Sequence, residues 1–180
     1  MAEKLALLNT DLAPELVSLA AAGDEAAFTR IVIAHHADML RIAHVVCGDV
    51  DLAADAAQAA WAIAWRRIGT VKDPARLRPW LMSVAANEAR QAVRGSGRRR
   101  VREIAIASMP RTSEAGRDEL MDLANALSQL DPRDRTLLGL HFVAGLDSRE
   151  MAREVGMSPT AVRSRISRAI GRLRKDLGDE

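Results

Sequence analysis

The densest chemistry in this 180-residue sequence lies between Ala161 and Lys175, where six bases occur and no acid. Five of the six are arginine, whose planar, five-donor fork suits phosphate oxygens and the acceptor edge of guanine. Val162, Ile166, Ala169, Ile170 and Leu173 recur among them at helical spacing. With that stripe turned inward, Thr160, Ser164, Ser167 and Arg168 point outward, flanked by Arg163, Arg165, Arg172 and Arg174. Donors on the outer, N-terminal part of such a helix reach base edges, and the flanking arginines suit phosphates. A second basic stretch, Ala89 to Arg102, holds six arginines and no acid and forms a phosphate-binding stripe. The opposite charge gathers elsewhere. Asp51, Asp55, Gln58 and Ala62 stand at i, i+4, i+7 and i+11, a polar, acidic helix face suited to basic groups on a partner.

Nothing in the sequence points to catalysis. It holds no G-x-x-x-x-G-K-[ST] phosphate loop, no nucleophile elbow and no H-E-x-x-H. His44 and Cys47 are three residues apart on one helix, but no second cluster completes the four ligands of a closed zinc site, and both read as core positions. No metal, cofactor or small-molecule substrate is expected.

These side chains require helices to present them, and apolar spacing is helical almost throughout. Asp24 caps a stripe from Phe28 through Ile31, Val32, His35, Met39, Ile42, Ala43 and Val46 that ends near Gly48. An alanine-rich helix follows Asp49 or Asp51 and runs to about Arg67. Asp73-Pro74 opens a stretch carrying Leu77, Leu81, Val84 and Ala85, with a cap and a proline at the first helical position. Residues 95–116, with Gly, Ser, Pro and scattered charge, read as a flexible linker. Beyond it run a stripe of Leu120, Leu123, Ala124, Leu127 and Leu130, then a helix opened by Asp131-Pro132 and closed by Gly145. A short helix from Asp147 or Ser148 to Val155, the turn Gly156-Met157 and a last helix capped by Ser158-Pro159 complete a helix-turn-helix. Gly171 in that last helix leaves room for close approach of another surface.

The expected fold is therefore all-α: two small helical domains, residues 1–94 and 117–180, joined by the linker, with the helix-turn-helix in the second. An aromatic fraction of 3% with no Tyr excludes an aromatic-rich sandwich or an RNA-stacking sheet. One Cys excludes an internal disulfide framework. No apolar run approaches the length of a membrane span, and Met1 to Thr10 lacks the pattern of a secretory signal, so a cytoplasmic protein is expected. The net charge of +2 is a sum of unlike parts: nine acids against three bases in residues 1–60, and 15 acids against 23 bases in the remainder.

Three segments together resemble the C-terminal domain of extracytoplasmic-function sigma factors: Leu130-Asp131-Pro132-Arg133-Asp134-Arg135, Gly145 to Ala152, and Ser158-Pro159-Thr160-Ala161-Val162-Arg163-Ser164-Arg165-Ile166-Ser167-Arg168-Ala169. Gly23-Asp24-Glu25-Ala26-Ala27-Phe28, Asp55-Ala56-Ala57-Gln58 and Trp80-Leu81 through Asn87 are similar, in order and spacing, to the family's first domain. The resemblance spans roughly residues 20–177. It implies that Thr160, Arg163, Ser164, Arg165, Ser167, Arg168 and Arg172 read the upstream promoter box. It implies that Asp51, Asp55, Gln58 and Ala62 meet a coiled coil on the clamp of core RNA polymerase. Ala59 stands where the family usually carries Glu. The segment Trp80 to Arg94 would read and melt the downstream box, with Asn87 satisfying the edge of an unstacked base and Met82 standing where many members place an aromatic. Arg90, Gln91 and Arg94 would border it, with Arg94 leading into Arg98, Arg99 and Arg100 along the backbone. Trp80 is expected in the core, whereas Trp61 and Trp65 lie beside the polar stripe.

The partners implied are core RNA polymerase, promoter DNA and an anti-sigma factor packed against both domains, with no membrane insertion. A reading from another class is a free-standing helix-turn-helix regulator that binds a palindromic operator as a dimer. A third is a sigma-like protein that has lost promoter melting.

Overall fold

Asp24, Asp49, Asp73, Asp131, Asp147 and Ser158 each accept a hydrogen bond from a backbone N–H two or three residues on, so the chain is cut into helices where a short polar side chain can satisfy the first orphan donors. A computed structural model describes residues 13–95 and 114–178. The basic run Arg98 to Arg102 and most of the expected linker lie outside those residues.

The N-terminal half contains α1 (Ala13–Ala21), α2 (Glu25–Cys47), α3 (Val50–Arg67) and α4 (Leu77–Gly95), the last entered through two single 3₁₀ turns. The short α1 has no counterpart in the sequence reading; it tucks Val17 and Ala20 against α2. Gly48, at φ +67°, ends α2 in the left-handed conformation and lets Asp49 begin α3 one residue later. Five buried alanines, Ala53, Ala56, Ala57, Ala60 and Ala64, form the inner face of α3. Side chains that small let α3 pack close to α2 and α4.

The C-terminal half contains α5 (Glu114–Gln129), α6 (Pro132–Leu138), a π-helical turn (Gly139–Val143), α7 (Ser148–Val155) and α8 (Pro159–Leu177). Helix α5 begins inside the segment expected as linker. From Asp134 to Leu140 every residue is buried, Asp134, Arg135 and Thr136 included. That run is too short and too uniformly enclosed to show a one-sided period. The cause is its position: α6 packs on α8 behind it and on α2 and α4 in front.

The two halves therefore share one apolar core, in which Ile31, Met39, Ile42, Leu81 and Met82 join Leu137, Leu140, Leu146 and Met151. The sequence reading had the halves coupled only through a linker. Arg76 Nη2 lies 3.9 Å from Glu154 Oε1 of α7, and beside it the main polar contact across the seam is Arg78, in the first turn of α4. Its Nε and Nη2 donate to Asp38 Oδ2 of α2 at 3.2 and 3.0 Å. Its Nη1 donates to the carbonyl of Ala144 at 2.6 Å and its Nη2 to that of Val143 at 3.4 Å. The π turn exposes these carbonyls, because its hydrogen bond runs from Ala144 N–H back to Gly139 and the chain reverses at Gly145, φ +70°.

Removing the guanidinium should loosen the seam without unfolding the helices. Arg78→Ala is expected to keep its far-ultraviolet circular dichroism, lose about 1–2 kcal/mol of unfolding stability and increase its radius of gyration in small-angle scattering. An unchanged radius would show that apolar packing alone holds the halves together.

Candidate nucleic-acid and polymerase interfaces

The helix-turn-helix is built from its caps inward. Asp147 accepts from the N–H groups of Arg149 and Glu150 while Glu150 returns a carboxylate oxygen to the Asp147 N–H, a reciprocal capping box that starts α7. The hydrogen bond from the Glu150 N–H, with that of Arg149 behind it, holds the Asp147 carboxyl below its ordinary range. Gly156, at φ +67°, makes the turn, and Ser158 and Pro159 start α8. Met151 and Ala152 of α7 and Val162, Ile166 and Ala169 of α8 are buried between the helices and the core.

Thr160, Arg163, Ser164, Ser167, Arg168 and Arg172 are exposed on the outer side of α8. The guanidinium head of Arg163 is held: Nη1 donates to Ser148 Oγ at 3.1 Å and Nη2 to Thr160 Oγ1 at 3.3 Å. Arg168 Nε donates to the Ser164 carbonyl at 3.2 Å. Arg165 departs from the expected set. Its Nε donates to Asp134 Oδ1 at 2.7 Å and its Nη2 lies 3.9 Å from Asp131 Oδ1, so it turns toward α6 rather than outward. The reason is Asp134 itself: a carboxylate with 11% of its side chain exposed needs a cation more than an arginine on this helix needs solvent. Among the described residues, no heavy atom of another element lies within 4 Å of a Cβ placed on Gly171.

On α4, Asn87 and Arg90 are half-buried and Gln91 and Arg94 exposed. Asn87 Oδ1 accepts from Arg90 Nη2 at 2.9 Å, and Gln91 Nε2 donates to Glu88 at 2.6 Å. Burial, and then the nearby guanidinium groups of Arg94 and Arg133, lower the proton affinity of Arg90. Arg133 belongs to α6, so the C-terminal half reaches the edge of this face. Met82 is a correction: it is fully buried in the shared core and stacks on nothing from outside. The resemblance placed it at the downstream box, where many members carry an aromatic; here α4 is covered on two sides and the position lies inside.

On α3, Asp51, Asp55, Gln58 and Ala62 are exposed along one face, opposite the buried alanines. No hydrogen bond or ion pair engages the two carboxylates among the described residues, which leaves them open to a partner. Beside this face, Phe28 meets Trp61 and Trp65 edge-on, with ring centroids 5.8 and 4.9 Å apart. Trp61 Nε1 donates to His36 Nδ1 at 3.1 Å, Trp65 remains 37% exposed, and Trp80 is half-buried against the core.

His44 and Cys47 face the interior. No group of three His, Cys, Asp or Glu side chains among the described residues is placed to hold a metal ion. Burial pushes the Cys47 thiol up to about 12, and its Sγ rests on the Ala89 carbonyl at 3.6 Å. Burial also lowers the His44 imidazole below its ordinary value, more than Asp49 raises it. The sequence reading missed Arg78, Asp134 and Ser148. Of these only Asp134 carried a local sign, a carboxylate three positions before the apolar run that begins at Leu137.

Two family models match the chain: sigma-70 region 2 over residues 31–99 and sigma-70 region 4 over residues 120–173. The probable RNA polymerase sigma factor RfaY of Xanthomonas campestris is 34% identical over 88% of this chain, which spans 42% of that protein. The ECF RNA polymerase sigma factor SigL of Mycobacterium tuberculosis is 31% identical over 87% of this chain and 93% of its own length. Among solved structures, CnrH in complex with the cytosolic domain of CnrY superposes with a TM-score of 0.70 at 27% identity, covering 94% of this chain and 99% of that one. The sigma factor RpoE in complex with the anti-sigma factor NepR, from Bartonella quintana, shares the fold, with a TM-score of 0.69 at 24% identity over 84% of this chain and 96% of that one.

Two measurements follow from the interior groups. At pH 8 the Cys47 thiol should react with a disulfide reagent about a thousandfold more slowly than a free cysteine, and at the ordinary rate in denaturant. Burial lowers His35 as well as His44, so the folded chain binds fewer protons than the unfolded one below about pH 6.5. Stability should be complete above that pH and fall as the pH drops toward 5, read as a decreasing urea midpoint. His44→Gln should reduce the fall.

Proposed function

The chain belongs to the extracytoplasmic-function RNA polymerase sigma factors, and we propose from that membership and from the placement of its charged faces that it joins core RNA polymerase and directs transcription initiation at one class of promoter. It acts as an initiation factor without chemistry of its own, in the cytoplasm. Asp51, Asp55, Gln58 and Ala62 on α3 offer an acidic face to the polymerase clamp. Asn87, Arg90, Gln91 and Arg94 on α4 border the downstream promoter box. Thr160, Arg163, Ser164, Ser167, Arg168 and Arg172 on α8 read the upstream one. Residues 1–94 and 117–180 are the two functional domains of this scheme.

The observation that carries this reading is the outer face of α8. Hydroxyls and guanidinium groups are exposed together on the second helix of a capped helix-turn-helix, which is the chemistry of groove readout. Its Arg163 is also pre-positioned by Ser148 and Thr160, so less side-chain freedom is lost when it meets a base edge. The free-standing regulator is less well supported, since it leaves the matched N-terminal half and the open carboxylates of α3 without a role.

An anti-sigma factor is a further partner in this reading. RpoE, whose fold this chain shares, was solved bound to the anti-sigma factor NepR, and CnrH was solved bound to the cytosolic domain of CnrY.

In-vitro transcription with purified core polymerase on a promoter library tests the proposal; selective activation of a promoter class is expected, and no selective activation would sink it. On a promoter so identified, Arg163→Ala should weaken upstream-box recognition by about 1–3 kcal/mol and relax specificity at one position. Asp55→Arg should reduce co-purification with core polymerase while leaving the folding of the chain intact, because the side chain is exposed and unpaired.

A further inference from the structure

Arg165, Arg168 and Arg172 stand at i, i+3 and i+7 on α8 and share one edge of that helix. With Asp131 and Asp134 at the start of α6 they line a groove of about 350 Å³. The three arginines are alike in chemistry and differ in what holds them. Arg168 donates only to a carbonyl of its own helix, and no hydrogen bond or ion pair engages Arg172 among the described residues. Arg165 is bound at 2.7 Å to the buried carboxylate of Asp134 and approaches Asp131, whose carboxylate also caps α6 by accepting from the Arg133 N–H at 2.8 Å.

We propose that Asp134 is a positioning residue for promoter recognition: by holding Arg165 against α6 it withdraws that arginine from DNA and leaves Arg168 and Arg172 as the phosphate contacts of this edge. The proposal rests on the reading of α8 as the DNA-binding helix. Its physical basis is an asymmetry of cost. If Arg165 swung out to a phosphate, it would strand a carboxylate that has almost no water around it, and a single solvent-exposed phosphate contact does not compensate for that. The pair bridges α6 and α8 and so fixes the angle at which α8 leaves the core. Promoter contacts then come from residues whose guanidinium groups are not needed by the fold.

The salt dependence of DNA binding distinguishes a phosphate contact from a fold-supporting arginine, because each neutralised phosphate contributes about 0.9 to the slope of log K against log salt. That is roughly a 3-fold to 4-fold loss of affinity per contact between 50 and 200 mM salt. Binding of the full chain to a fluorescent 24-base-pair duplex of arbitrary sequence supplies the readout. Arg172→Ala should flatten the slope by about one. Arg165→Gln, which keeps an N–H for Asp134, should leave it unchanged. Asp134→Asn should free Arg165 and steepen the slope by about one, and the double variant Asp134→Asn with Arg165→Gln should restore the original value. A purely structural role for Asp134 would change the melting temperature without steepening the slope. Flattening by Arg165→Gln, or no steepening by Asp134→Asn in a chain that melts cooperatively, overturns the proposal. If Asp134→Asn does not fold, Arg165→Gln alone decides it. Should Arg172→Ala, Arg168→Ala and Arg163→Ala all leave the slope unchanged, the reading of α8 as the DNA face falls, and this proposal with it.

Discussion

A guanidinium half removed from water needs partners for its N–H groups, and the architecture of this chain turns on where Arg78 finds them. One side of its fork takes the Asp38 carboxylate on α2, and the other takes two backbone carbonyls freed by the π turn. The first contact lies within the N-terminal half and the second crosses to the C-terminal half. Around it the apolar side chains of α2 and α4 meet those of α6, the π turn and α7 in one core. Hydrophobic burial supplies most of the favourable free energy of such a seam. It is non-directional, however, and would tolerate several relative placements of the two halves. The fork of Arg78, with fixed donor directions, selects one.

Burial at this seam is not fully satisfied. Among the described residues, His44 Nε2, Arg90 Nε and Arg135 Nε are buried without a hydrogen-bond partner, and Arg90 faces the like charges of Arg94 and Arg133. Each orphaned polar atom subtracts from the stability of the closed arrangement. The core of the N-terminal half, by contrast, is built of alanines and medium-sized aliphatic residues with few polar atoms to accommodate. The closed state thus combines a strong directional contact at Arg78 with a costly polar edge at Arg90 and Arg135.

Much of this was legible before any coordinates. Asp24, Asp49, Asp147 and Ser158 announced their helices because capping depends on a side chain and on backbone groups a few residues away, all local in sequence. The outward set on α8 was legible for the same reason: a helix with a strict apolar stripe fixes its own polar face. Met82 and Arg165 were misplaced because their environments depend on a second element. Met82 was placed by the family resemblance, which does not show that α6 and the π turn also cover α4 on this side. Arg165 looked like its neighbours until Asp134, 31 residues earlier, was found buried beside it. The short α1 escaped notice because nine residues with two buried positions give almost no periodic signal.

The π turn carries a consequence of a different kind. Arg78 reads the C-terminal half through the carbonyls of Val143 and Ala144, and a carbonyl is the same whatever side chain its residue bears. The exposed positions of the loop, His141 and Phe142, can therefore change residue type over evolutionary time without loss of the contact. A change in its length is another matter. Deleting one residue would turn the π turn into ordinary α-helix and rotate both carbonyls away. Selection on this joint should act on insertions and deletions far more than on substitutions, and a reader comparing sequences by residue identity alone would underrate how tightly the loop is held.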